Sequence, residues 1–198
     1  MRAILDVETT GLASSRYSVA EVAAVILGKD LEEMASFSSL VNPGEEAISN
    51  AEQAALQTNG ITPAMMREAP PIEQVARELE AFLDAHWGAT LHSFGRSFDM
   101  GFLEKPPWQV TRRVWGECIM LAATDMMNEA GMTVRGPNSR PKWVSLAEAK
   151  KFFKVKEDQA HRALPDARAA AYVFREILLK RAEDEMNDEA ESVMEHGL

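Results

Sequence analysis

Two acids stand one residue apart near the start of the chain, in Ile4-Leu5-Asp6-Val7-Glu8-Thr9-Thr10-Gly11. Ile4, Leu5 and Val7 are apolar and β-prone, so the stretch reads as a short buried strand. Residues i and i+2 of a strand share a face, which sets the Asp6 and Glu8 carboxylates side by side. Two unpaired anions on a mostly buried strand are costly. A divalent cation between them removes that cost, and hard cations such as Mg2+ take carboxylate and phosphate oxygens. Taken alone, Asp-x-Glu equally fits a solvated edge strand, so the metal reading needs more acids in matching contexts.

Two further stretches supply them. Asp99 lies in Ser97-Phe98-Asp99-Met100-Gly101-Phe102-Leu103, just after an expected strand and in the first turn of a helix. The helix dipole favours a carboxylate there, with or without a metal. Asp166 opens a long helix in His161-Arg162-Ala163-Leu164-Pro165-Asp166, and His161 precedes it in a loop. A neutral imidazole beside a metal site can take a proton from water, since its ordinary pKa of about 6.5 lies near working pH. The pair also fits a surface histidine and a helix-capping aspartate.

The elements that must position these groups follow from pattern. Val19–Leu27 and Met34–Val41 read as second and third strands, joined by a Gly28-Lys29-Asp30 turn into an antiparallel meander. Ser49 is placed to cap a helix to about Gln57. Ile72–His86 carries Val75, Leu79, Phe82 and Leu83 at amphipathic helical spacing. Thr90–Phe94 reads as a fourth strand, Arg96–Glu104 as a helix, and Arg113–Trp115 as a short fifth strand. Helices follow over Cys118–Ala130, from a Ser145/Glu148 capping box to about Phe153, and over Leu164–Glu183. The order of elements predicts an α/β domain, a mixed sheet flanked by helices, over residues 1–182, followed by a flexible acidic tail over 183–198.

At 198 residues with 46% hydrophobic and 26% charged side chains, the composition is that of one globular domain. One cysteine, Cys118, excludes an internal disulfide, and a reducing cytoplasm is the expected location. No apolar run reaches the length of a membrane span, and no signal peptide is expected, because the sequence opens directly into the first strand. The net charge of −10 is uneven. Residues 183–198 hold seven acids and no Lys or Arg, whereas residues 96–162 hold twelve bases and eight acids. The middle of the chain can therefore meet a polyanion. Arg112-Arg113, Arg135–Lys142 with Trp143, and Lys150–Lys156 are candidate backbone contacts, although the lysines also fit a solvated helix face. Cys118 and the eleven methionines are expected in the core.

The Asp6-Val7-Glu8-Thr9-Thr10-Gly11-Leu12 opening, Phe98-Asp99-x-x-Phe102-Leu103 and His161-Arg162-Ala163-Leu164-x-Asp166-Ala167, in that order, resemble the three motifs of the DnaQ-like, DEDDh-type 3′–5′ exonucleases. Glu21-Val-Ala-Ala and Asn59-Gly-Ile-Thr are similar to secondary signatures of that family. The resemblance covers roughly residues 2–182 and implies a ribonuclease-H-like fold with a mixed five-stranded sheet. It also implies two divalent ions, Mg2+ or Mn2+. Asp6, Glu8 and Asp166 would hold the first, Asp6 would bridge to the second, and Asp99 would support that one largely through water. Water held there would attack the phosphodiester with His161 as general base, releasing nucleoside 5′-monophosphates from a 3′ end. Thr9, Thr10 and Leu12 would line the pocket for the terminal nucleotide, with Phe98 either a stacking wall or a core residue. Family members often carry His-Asn-Ala before the Phe-Asp pair. Here Phe94-Gly95-Arg96 stands in its place, so Arg96 is a candidate phosphate contact. The implied substrate is DNA, preferably single-stranded. The alternatives are an RNA exonuclease of the ribonuclease T or oligoribonuclease kind and a silent nucleic-acid-binding or scaffold module. The acidic tail fits a docking point for a polymerase or another protein and equally an idle solubilising tail.

Overall fold

The computed structural model describes residues 1–108, 110–132, 142–155 and 161–196. Among the described residues, four strands form one sheet: β1 (Arg2–Thr9), β2 (Val19–Leu27), β3 (Glu33–Leu40) and β4 (Thr90–His92), in the order β3-β2-β1-β4. β1 and β2 pair antiparallel, as do β2 and β3, while β4 lies parallel to β1. The sheet is therefore mixed, with β1 inside it.

β1 is packed on both faces, and its alternation decides what each face receives. Ala3, Leu5 and Val7 join Val22, Ala24 and Ile26 against Val75, Ala76, Leu79 and Leu83 of α4 (Ile72–Asp84). Ile4 joins Ala23 and Val25 against Ile119 and Ala123 of α6 (Ile119–Glu129) and Ala167, Ala170, Phe174 and Ile177 of α8 (Ala163–His196). Asp6 and Glu8 continue the Ile4 alternation, so they face α8. The β1–β2 register shifts between Glu8 and Thr9. A bulge re-aims the chain where the acids end.

The shorter helices carry loops around this frame. They are α1 (Glu45–Ser49), α2 (Gln53–Asn59), α3 (Pro63–Glu68), α5 (Arg96–Leu103) and α7 (Leu146–Phe152). α7 starts on the expected capping box: the Glu148 N–H donates to the Ser145 hydroxyl at 3.2 Å, and the Ser145 N–H donates to the Glu148 carboxylate at 2.8 Å. Ser145→Ala is expected to lower stability by about 1 kcal/mol, a fall in Tm of about 2–4 °C for a chain of this size, read by thermal melting.

Several expected boundaries are corrected. The fifth strand over Arg113–Trp115 reduces, among the described residues, to one parallel bridge between Leu91 and Trp115. Two hydrogen bonds close it, Leu91 N–H to Val114 O and Gly116 N–H to Leu91 O. The chain then passes so close to His92 that a Cβ on Gly116 would stand 2.2 Å from the ring. Ser49 ends α1 instead of capping a helix, because the Glu52 N–H reaches across to the Thr10 carbonyl at 2.8 Å and interrupts the turn. α8 does not stop near Glu183 but runs to His196. Neither glycine nor proline occurs between Asp166 and His196, and Ala, Glu, Met, Leu and Lys are strong helix formers. Cys118 is buried, its thiol donating to the Phe94 carbonyl. Met66 and Met127 are core residues, but Met34, Met132 and Met186 are exposed. The expected basic loop from Arg135 to Arg140, and Lys156, lie outside the described residues. No described helix is long and apolar enough to cross a membrane.

Candidate active site

β1 delivers Asp6 and Glu8 to the α8 side of the sheet, and the first turn of α8 delivers Asp166 to meet them. One carboxylate oxygen from each lies within 4.8 Å of the others. Asp99 approaches from α5. β4 ends at His92, opposite Ile4 of β1. Past that end the Val7 N–H donates to the Asp99 carboxylate at 3.2 Å, so the early end of β4 creates the opening that Asp99 fills. Asp99 is itself buried.

Gathering acids in this way shifts their proton affinities. Burial, then the charges of Asp99, Glu8, Asp166 and Glu21, hold Asp6 well above the ordinary carboxylate range. Glu8 is pushed up to about 7 by burial and by Asp166 and Glu21, with the Asn59 amide and Arg162 offsetting part of the rise. Burial pushes Asp99 up to about 7, against the stabilising Val7 N–H. Asp166 is raised by burial, opposed by its hydrogen bond from the His161 N–H and by the nearby Lys150. Cationic groups thus balance only part of the cluster. Its donors are all hard oxygens, spaced for a single ion, and fit Mg2+ or Mn2+ better than a softer metal.

His161 is held beside Asp166 through its backbone, its N–H donating to Asp166 Oδ2 at 2.9 Å. It has φ 61°, a left-handed conformation uncommon for a residue with a side chain. Its side chain is exposed.

The candidate substrate residues separate into two groups. Leu12 is 77% exposed, and Phe98 is half-exposed against Phe102, with ring centroids 5.1 Å apart. Both line a cavity of about 240 Å³ beside Glu8, with Val7, Thr9 and Asn59. Thr9 and Thr10 are buried. The Thr9 hydroxyl donates to the Gly11 carbonyl at 2.8 Å and that of Thr10 accepts the Ser18 N–H at 3.0 Å, so both hold the turn after β1. Arg96 Nη1 donates to the Gly116 carbonyl at 2.6 Å and braces the chain beyond β4. Pattern and composition alone do not place α2 at this cavity, yet Glu52, Ala54, Ala55 and Thr58 line it. The Asn59-Gly-Ile-Thr stretch was the available signal: the Asn59 side chain donates to the Thr9 carbonyl at 3.2 Å and accepts the Ile61 N–H at 3.0 Å. A larger groove of about 530 Å³ among α6, α7 and α8 shares no residue with the acid cluster.

A mixed sheet whose inner strand ends in converging carboxylates, with an open cavity alongside, is an arrangement able to hold a divalent ion beside a substrate. The profile of the exonuclease family that includes ribonuclease T matches residues 3–174. The chain belongs to that family of enzymes and has its ribonuclease-H-like fold. It is 31% identical over 180 residues to the PolC-type DNA polymerase III of Caldanaerobacter subterraneus subsp. tengcongensis, covering 91% of this chain and 12% of the relative. It is 29% identical over 184 residues to the 3′-5′ exonuclease DinG of Bacillus subtilis, covering 89% of this chain and 17% of the relative. The chain thus spans a minor part of the curated relatives it matches. Among solved structures, E. coli exonuclease I in complex with a dT13 oligonucleotide superposes with a TM-score of 0.71 at 15% identity, covering 96% of this chain and 43% of that one. The cell-death related nuclease CRN-4 gives 0.67 at 16% identity, covering 90% and 63%.

Proposed function

We propose that this chain is a metal-dependent 3′–5′ exonuclease that removes nucleoside 5′-monophosphates from the 3′ ends of DNA, preferably single-stranded. The observation that carries the reading is the meeting of Asp6, Glu8 and Asp166 from opposite ends of the chain. Asp6, Glu8 and Asp166 would hold one divalent ion, and Asp6 with Asp99 a second. Such ions, when bound, neutralise charge on the scissile phosphate and acidify water. The rest falls to the chain's own groups. His161, exposed beside Asp166, takes the proton of the attacking water. Leu12 and Phe98 flank the cavity beside Glu8 and receive the terminal nucleotide, whose base stacks on the aromatic face. The matches to a PolC-type DNA polymerase III and to the 3′-5′ exonuclease DinG support DNA as substrate; a proofreading or trimming role in the cytoplasm is part of the proposal. The acidic end of α8 is the proposed docking point for a polymerase or another partner.

The test is a gel assay on matched 5′-labelled single-stranded DNA and RNA oligonucleotides with Mg2+, Mn2+ or EDTA. The expected result is a ladder shortening from the 3′ end of DNA, lost in EDTA. His161→Ala is expected to slow it about 100-fold, within the usual contribution of a general base. A ladder on RNA alone would move the enzyme to RNA processing. Degradation that ignores EDTA would overturn the metal assignment, and a wild-type rate in His161→Ala would overturn the base.

A further inference from the structure

Glu21 is a carboxylate in the middle of a strand that is buried along its whole length, Val19–Leu27. It is only 4% exposed. A buried charge is tolerated when its oxygens are fully engaged, and every described partner of Glu21 comes from the start of α8. Arg162 grips it with both arms of the guanidinium, Nη2 to Oε1 at 2.7 Å and Nε to Oε2 at 2.9 Å. The Ala163 N–H donates to Oε2 at 3.0 Å. Ala163 is the first residue of α8, so Glu21 satisfies one of the helix's free N–H groups from 142 residues away. The neighbouring residue is His161, in its left-handed conformation. A residue in such a conformation persists when its surroundings over-determine it. Here the turn is pinned at both ends, by His161 N–H to Asp166 and by Arg162 and Ala163 to Glu21. Glu21 also stands directly opposite Glu8 in the β1–β2 register. The position of Asp166 and His161 relative to Glu8 is thereby set by one inter-strand spacing and one half-buried ion pair, with Glu21 buried and Arg162 partly exposed.

We infer that Glu21 is a positioning residue for this site, acting through Arg162 and Ala163 on His161 and Asp166, an inference that rests on the exonuclease reading. It touches neither substrate nor ion. Glu21→Gln keeps the shape and one acceptor but removes the charge that holds Arg162. Its kcat on single-stranded DNA should fall about tenfold with KM within twofold of wild type, at a temperature well below its Tm. Arg162→Lys, which keeps the charge and loses the fork, should fall similarly. The double variant should be no slower than the slower single, because both remove one contact. Ile177→Ala, a fully buried site further along α8, supplies the control: it should lower Tm and leave kcat unchanged below the transition. Mn2+ titration by electron paramagnetic resonance gives a readout free of substrate. Glu21→Gln should bind Mn2+ about fivefold more weakly, because Asp166 loses its hold. If wild-type protein cleaves neither DNA nor RNA, the exonuclease reading fails while the Mn2+ comparison still decides the positioning. Wild-type kcat together with wild-type Mn2+ affinity in Glu21→Gln would overturn the inference. So would a rise in KM alone, which would make Arg162 a substrate contact, or an equal loss of kcat in Ile177→Ala, which would reduce Glu21 to a fold-stabilising group.

Discussion

Asp6→Asn is expected to cut turnover about a thousandfold or more and, in the same protein, to raise the melting temperature of the metal-free form at pH 8. The two effects have one cause. Asp6 sits among Asp99, Glu8, Asp166 and Glu21, and burial and all four charges disfavour its anion. In metal-free protein that repulsion is unrelieved, so a neutral amide of the same shape is the better neighbour. A gain of about 1 kcal/mol corresponds to about 2–4 °C in a chain of this size. The loss in rate follows from the proposed sharing of Asp6 between two ions. Several kcal/mol of transition-state charge stabilisation come from such ions, and each 1.36 kcal/mol is about tenfold in rate. The measurements are kcat with Mn2+ on a 5′-labelled oligonucleotide and melting in EDTA. A metal-free variant that melts below wild type would show that the carboxylate is a net stabilising group and that the cluster is not built around a cation. A rate near wild type would remove Asp6 from the machinery.

The parts of the site that could be read from sequence are those set by local geometry. Ile4, Asp6 and Glu8 alternate on one strand, so a period of two residues puts both acids on the face that α8 covers. Asp99 and Asp166 each sit in the first turn of a helix, where backbone N–H groups and the dipole make an acid at home. Their convergence on Asp6 is a tertiary fact, and only the order of three motifs and their likeness to a family foretold it. Other features depend on long-range contacts. Glu21 opens a stretch similar to a family signature, but what it holds is decided only when Arg162, 141 residues later, folds onto it. Ser49 has the chemistry of a helix cap, but the Glu52–Thr10 hydrogen bond decides where the helix breaks. Trp115 is β-prone, yet the approach of Gly116 to His92 leaves it one bridge instead of a strand. The reach of α8 past Glu183 was legible in composition, since nothing there breaks a helix; its acid content drew the expectation toward an unstructured tail.

Metal-free protein should lose stability as pH rises from about 4.5 to about 7, and excess Mn2+ should reverse the trend. Glu8 titrates ordinarily near 4.5 and in the fold at about 7; Asp99 moves from 3.8 to about 7. Between those values the native state holds protons that the unfolded chain has released, and stability falls with pH wherever the native state binds more protons. Their contribution is complete below the unfolded pKa and gone above the folded one. Glu148, held down to about 2 by the Ser145 N–H and Lys142, has the opposite sign, but its stabilisation is fully developed by about pH 5. His92, lowered by burial, also opposes the trend, because the unfolded chain binds a proton there that the native state has already released, so its contribution rises with pH. The Mn2+-minus-EDTA difference in Tm cancels those remote groups, because only the acid cluster exchanges protons for the ion. A tenfold change in proton affinity is worth about 1.4 kcal/mol, or about 3–6 °C here. The difference should therefore widen by several degrees between pH 5 and pH 8. Asp6→Asn should flatten it, and a wild-type difference that stays constant across this range would mean that Mn2+ binds away from Glu8 and Asp99.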